Sequence, residues 1–304
     1  MIVNHLTGFE GTNPLGFLAA LGTQVALVAE GARARLYWSN DIVPHAILDA
    51  DLTLEKIAVQ IMETLTKWKK SPAVNPTLDD GATMHKGDEL KISKQDIRHY
   101  LASASQDDVA GGLATALVAE GSLDNEGVAK PSDLYFTAGQ QKFLEMVRKI
   151  MNCVSLEDVH TGLRGPWKYS SRLPSLGWDV ADDRVYALRS SNPSSETKPT
   201  NPGPESLAVL GLSLHPVFAG SKRTLTQGCS GTWKKSRYAW PLWNKPASLP
   251  AVKSLLAHSY KPNRERSRWL HSWTVFQILE SPIKRSEQGG YGTFGPSEVV
   301  WQAE

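Results

Sequence analysis

Thirteen lysines and arginines fall between Gly220 and Arg285 with only Glu265 and Glu280 to oppose them, and this imbalance limits what the chain can fold into. Thirteen cations against two acids leave +11 on the segment, and since the chain totals +2 the remainder carries −9. Cations crowded this closely repel one another and are costly to bury unpaired, so the C-terminal third has to present an exposed basic face. Trp233, Tyr238, Trp240, Trp243, Tyr260, Trp269 and Trp273 lie in the same stretch. Cations interleaved with flat aromatic rings suit a phosphate backbone and its unstacked bases. The expectation is that this third of the chain binds nucleic acid.

Elsewhere the composition is ordinary. At 304 residues, 41% apolar and 21% charged, the chain can bury a large core as one large domain or two moderate ones. No apolar run approaches the eighteen or so residues that a membrane-spanning helix needs. The start, MIVNHLTGFEG, lacks the basic-then-apolar pattern of a secretory signal. Cys153 and Cys229 are too few for a disulfide framework or a cysteine-rich zinc site and read as free thiols in a reducing compartment. A cytoplasmic protein without membrane contact is expected.

Helical signals dominate the first half. Asn13 is a good N-cap with Pro14 at the first helical position, and an apolar run leads to a stop at Gly31. Arg33–Trp38 reads as a strand. Thr53 opens a helix in which Ile57, Ile61, Leu65 and Trp68 recur at helical spacing, with Lys67, Lys69 and Lys70 at its end. Residues 71–92 are loop-like. Helices are expected over 94–104 and 107–120, the second softened by Gly111-Gly112, and another capped by Thr137 through Ile150. Ser155-Leu-Glu-Asp158 is a capping box with Asp in place of Glu.

From about Gly162 short segments rich in Tyr, Trp, Leu and Val alternate with Gly, Pro and Ser clusters, which predicts strands and long loops. Residues 190–204 are the clearest flexible stretch, a linker or an exposed loop. The fold class expected is α+β: a helix-rich, acidic region over 1–160 for subunit docking, and a mixed, loop-rich, basic region over 161–304 for nucleic-acid contact, with one continuous domain as the alternative.

Within the basic segment, Ser221–Tyr238 reads as a loop or hairpin facing phosphates, carrying Lys222, Arg223, Lys234, Lys235 and Arg237. Trp240-Pro-Leu-Trp243 is more apolar and reads first as a buried anchor. Lys261–Arg268 holds four cations, among them Arg264, Arg266 and Arg268, against one acid. Lys245 adds a further cation. In the tail, Lys284, Arg285 and Gln288 precede Gly289 and Gly290, a pattern suited to close approach in a minor groove, with a plain glycine-rich hairpin as the competing reading. No Gly-Lys-Ser/Thr closes it, so it is not a P-loop. A third set, Arg164, Lys168, Arg172, Arg184 and Arg189 with Trp167, Tyr169 and Trp178, stands beside Asp179, Asp182 and Asp183 and reads mainly as ion pairs.

No catalytic residues, metal ligands or cofactors are expected. The eight histidines show no His-x-x-x-His, the Asp pairs are sequence neighbours that point apart, and no Gly-x-Ser-x-Gly elbow occurs.

Several stretches resemble CRISPR-associated proteins of the type I-G/I-U class: Asn13-Pro-Leu-Gly-Phe-Leu-Ala-Ala-Leu-Gly22, Leu134–Leu144, Leu176-Gly-Trp-Asp179 with Asp182–Arg189, and Trp240-Pro-Leu-Trp243. The resemblance implies a role like that of the large subunit of the Cascade effector, which joins a guide-RNA complex, contacts the motif flanking the target and helps separate the duplex. By analogy with such readers, Gln288, Gly289, Gly290 and Lys284 would contact that motif. The chain is short for a large subunit, which leaves a separate helical bundle in doubt.

The combined expectation is a non-catalytic subunit that binds double-stranded target DNA beside a guide-RNA ribonucleoprotein and other Cascade subunits. Cleavage would fall to a helicase-nuclease recruited in trans. Lys234, Lys235, Arg237, Arg264, Arg266 and Arg268 would hold phosphates; Lys284, Arg285 and Gln288 would reach base edges. Asn13 and Gln140-Gln141-Lys142 are docking candidates, each also readable as cap or surface. Two rivals stand beside this: a metal-independent ribonuclease maturing guide RNA with His215, His258 or His271, and a scaffold meeting an acidic protein.

Overall fold

The computed structural model describes residues 1–304 except 85, 109, 138–140, 183–198, 221–223, 259–268, 286–290 and 304. The chain opens with β1 (Ile2–Glu10), α1 (Pro14–Ala29), β2 (Ala34–Trp38), β3 (His45–Ala50) and α2 (Leu54–Trp68). The Asn13 side chain accepts from the Leu15 amide at 3.1 Å, which fixes the start of α1 as expected. Ile57, Ile61, Leu65 and Trp68 form the buried stripe of α2. Lys67, read as a complement to that helix's dipole, is ion-paired with Glu30.

Beside its helices the first half holds a three-stranded antiparallel sheet in the order β1-β3-β2, of which only β2 was expected. Strands β1 and β3 escaped notice for physical reasons. β1 carries Asn4 and Gly8, both poor strand formers, and Gly8 is needed because a Cβ there would meet the Gly162 carbonyl oxygen at 2.0 Å.

Four shorter helices follow: α3 (Ile97–Ser105), α4 (Gly111–Leu117), α5 (Phe143–Cys153) and α6 (Leu156–Arg164). The capping box at Ser155 and Asp158 forms in full. Gly111-Gly112 starts α4 rather than interrupting it. Thr137 is not the N-cap of α5, which starts at Phe143 after Lys142; its neighbour Phe136 gives its carbonyl to the Gly292 amide at 3.0 Å.

The second half supplies α7 (Pro202–Leu212), β4 (Val217–Ala219), β5 (Thr224–Thr226), β6 (Cys229–Ser230), β7 (Arg237–Trp243), α8 (Leu249–Leu256), β8 (Val275–Arg285), β9 (Gly292–Phe294) and β10 (Glu298–Gln302). A sheet runs in the order β10-β8-β7-β6, with β9 paired to the end of β8. The stretch predicted to be flexible ends inside a buried helix. Pro202 and Pro204 sit in the first turn of α7, where missing amide donors cost little, and every residue of that helix is buried.

α7 crosses α1, itself buried from Pro14 through Leu27. The crossing rests on two glycines: a Cβ on Gly22 would lie 1.8 Å from the Leu207 carbonyl oxygen, and one on Gly211 would lie 2.0 Å from that of Leu18. Backbone thus packs on backbone. Around it Phe17, Trp38, Trp240 and Trp243 form an aromatic cluster, with Phe17 stacked on Trp38 at 5.7 Å between centroids. Trp240 donates to the Gly11 carbonyl at 2.8 Å and Trp243 to that of Leu36 at 2.6 Å, pinning β7 to the N-terminal elements. The buried cluster extends from Leu6 to Phe294. The protein is α+β. Among the described residues no helix is long and apolar enough to cross a membrane.

Candidate nucleic-acid interface

Two hairpins leave the same end of the C-terminal sheet. In the first, Cys229 pairs with Tyr238 and Ser230 with Arg237, so residues 231–236 make the tip. Gly231 turns the chain at φ 86°, in the left-handed region that a side chain disfavours, and a Cβ there would also strike the Lys235 carbonyl oxygen at 2.1 Å. A single 3₁₀ turn over Trp233–Lys235 then leaves Trp233, Lys234 and Lys235 exposed. In the second hairpin, Ile283 pairs with Phe294, Lys284 with Thr293 and Arg285 with Gly292. Since Arg237 is opposite Pro282, Arg285 emerges beside the first tip. Its guanidinium carbon sits 3.6 Å from the Trp233 ring centroid. A tryptophan and an arginine some fifty positions apart in sequence therefore meet.

Lys234 and Lys235 form no ion pair with the described residues, so their charge faces solvent. Lys284 is exposed on β8, its stem lying over Gly295, whose Cβ would be 2.9 Å from the Lys284 Cε. Lys245 is also exposed but lies past the opposite end of β7, roughly 20 Å from the tips at the usual rise of a strand. It does not share this surface.

Two of the expected nucleic-acid contacts have other employment. Arg237 lies between Glu280 and Glu298, which oppose each other across β8 and β10, and it bonds to both. Partial desolvation works against its charge, but the two carboxylates prevail and hold its pKa above the ordinary value. Its charge is balanced within the sheet by these two carboxylates. Arg285 turns inward: Nη1 donates to the Tyr135 carbonyl at 3.2 Å and Nη2 to that of Asp133 at 2.6 Å, while Phe136 lies 5.4 Å beneath it. Burial pushes its pKa down to about 10, which still leaves it charged at neutral pH. With both terminal nitrogens engaged by the backbone, it braces the surface.

Lys222, Arg223, Arg264, Arg266, Arg268, Gln288, Gly289 and Gly290 lie outside the described residues. The flanks of the glycine-rich tail pair as a hairpin, the plainer of the two readings made for it. Of the aromatic residues, Tyr238, Trp240 and Trp243 are buried, whereas Trp233 is 45% exposed and Trp269 63%. Trp273 packs against His258, with centroids 4.5 Å apart.

Of the third set, Lys168 and Arg172 are exposed, and other members have structural contacts. Arg164 pairs with Glu55, Tyr169 donates to Asp179 at 2.8 Å, and Trp178 is buried with its indole nitrogen on the Leu134 carbonyl; Arg184 and Arg189 lie outside the described residues. Asn13, besides capping α1, donates to Asp179 at 3.0 Å. Lys142 pairs with Glu145, and Gln140 is outside the described residues.

His215 is a core residue. Its Nε2 meets the Tyr238 hydroxyl at 2.8 Å, and burial pushes its pKa down to about 4, so it is neutral and enclosed at physiological pH. It cannot reach an RNA phosphodiester, which leaves the ribonuclease reading with exposed His258 and His271. Among the described residues no three His, Cys, Asp or Glu side chains gather as a metal site requires.

The pairing of Trp233 with Arg285 was not visible in the sequence, since it follows from the β7–β8 register. The same holds for Phe218 and Leu225, which face each other across β4 and β5 and are 56% and 42% exposed. Comparison with protein-family models finds no match to this chain, and comparison with curated proteins finds none either.

Proposed function

We propose that this protein is a nucleic-acid-binding subunit of an RNA-guided CRISPR surveillance complex, which engages target DNA, reads the flanking motif and helps open the duplex. The observation that supports it is the meeting of the first hairpin's tip with the end of β8: Lys234 and Lys235, without ion pairs to the described residues, stand beside a tryptophan fixed by Arg285, on the most cationic part of the chain. Charge of this kind supplies the sequence-independent part of affinity, and a guide RNA would supply sequence. The acidic first half would then serve docking to neighbouring Cascade subunits, with a helicase-nuclease recruited in trans. The cytoplasm is the compartment that this role requires.

The test is a gel shift with short duplexes carrying randomised flanks, together with sequencing of any small RNA that co-purifies. Selective retention of one flank supports motif reading. Retention without preference reduces the role to backbone binding, and failure to retain any duplex refutes the proposal.

A further inference from the structure

The geometry at the 231–236 hairpin tip points to a specific ligand class, and the inference rests on the nucleic-acid reading above. Trp233 has three properties that rarely coincide on a surface indole. It is braced: the Arg285 guanidinium lies against the ring at 3.6 Å and is itself tied to the Asp133 and Tyr135 carbonyls. That anchorage reaches further, because the Asp133 amide donates to Thr226 on β5 at 2.7 Å. It is open: 45% of its surface is accessible, although a purely structural tryptophan is ordinarily covered. It is flanked: Lys234 and Lys235 follow it in the same 3₁₀ turn, exposed and free of ion pairs with described residues.

An aromatic ring held rigid pays little entropy to stack a base, and a neighbouring cation takes the phosphate that the base carries with it. A base within a duplex keeps its faces against its neighbours, so the ligand that fits has an unpaired base. We propose that Trp233 is a stacking platform for an unpaired nucleobase, with Lys234 and Lys235 holding the adjoining phosphates. Single-stranded DNA and single-stranded RNA share this chemistry, and separate arms of the experiment distinguish them.

The experiment follows the anisotropy of fluorescein-labelled oligothymidylate, oligouridylate and an abasic deoxyribose-phosphate oligomer of equal length and charge, with the intact chain and its variants. Trp233→Ala is expected to weaken binding of the oligomers with bases about tenfold, to leave the abasic oligomer unaffected and to keep the salt slope unchanged. Trp233→Phe restores most of the loss. Thymidylate and uridylate losing equally means that the base face is the ligand; loss with only one identifies which strand type sits there. Equal loss with the abasic oligomer, or no loss at all, overturns the platform. If the intact chain binds duplex but none of the oligomers with bases, the platform is likewise overturned while the nucleic-acid reading stands. If it binds neither, both fall. Should Trp233→Ala unfold, the base-to-abasic affinity ratio of Trp233→Leu against the intact chain replaces it, since leucine fills space without a ring to stack, an unchanged ratio being the contrary result.

Discussion

Arg285 and Trp233 are held face to face, the guanidinium carbon 3.6 Å from the indole centroid, although fifty-one residues separate them along the chain. The contact locks the tip of one hairpin to the end of another. Arg285 also satisfies the carbonyls of Asp133 and Tyr135, so it fastens the 133–136 segment to the C-terminal sheet. Arg285→Ala strips two backbone acceptors of charged donors and removes the cation under the ring. A loss of about 2–4 kcal/mol is expected, read as a fall in the urea midpoint at unchanged m-value.

The paired carboxylates around Arg237 lead to a result with two parts. Arg237→Ala leaves Glu280 and Glu298 directly opposed across β8 and β10, which should cost about 1–2 kcal/mol. Because that charge is neutralised internally, the affinity for duplex DNA and its salt dependence should stay as they are. Added salt should narrow the stability difference by screening the two acids.

His215 makes stability depend on pH. Its folded pKa of about 4 lies below the ordinary 6.5, so between these values the unfolded chain binds more protons and stability drops as pH falls. Below both values the loss is complete, and above 6.5 it vanishes. From pH 7 to pH 5 the contribution amounts to about 2 kcal/mol. Urea titrations at both pH values should show a slope that His215→Gln reduces by this amount, even though the variant starts less stable.

The crossing of α1 and α7 admits no side chain between the two backbones. Gly22→Ala and Gly211→Ala should each destabilise by about 3 kcal/mol or more, overriding the 0.5–1 kcal/mol or so that alanine gains over glycine within a helix. Thermal unfolding would show it directly.

Much of the helical structure was legible. Ile57, Ile61, Leu65 and Trp68 recur with the helical period, and Ser155 with Asp158 announces a cap, because both signals depend on residues a few positions apart. α7 was hidden because a helix buried on every face has no polar stripe, and its Pro202, Gly203 and Pro204 read as loop formers. The candidate surface was only half legible. Formal charge located the basic segment, but whether a cation is available depends on partners far away: Arg237 is neutralised by Glu298, and Arg285 is engaged by backbone some 150 residues upstream. The apolar setting of Trp240 marked it as a buried anchor, and it is fully buried, whereas Trp233 stands open at a hairpin tip.

The central claim, that the 231–236 tip and the neighbouring end of β8 meet a polyanion, is tested most directly by the salt dependence of DNA binding. If about seven phosphates are engaged, affinity for a short duplex should fall about 10³- to 10⁴-fold between roughly 50 and 200 mM salt. Joint replacement of Lys234 and Lys235 by alanine should reduce the log–log slope by about 2 units. A flat salt response in the intact protein, or a slope that the double variant leaves unchanged, would contradict it.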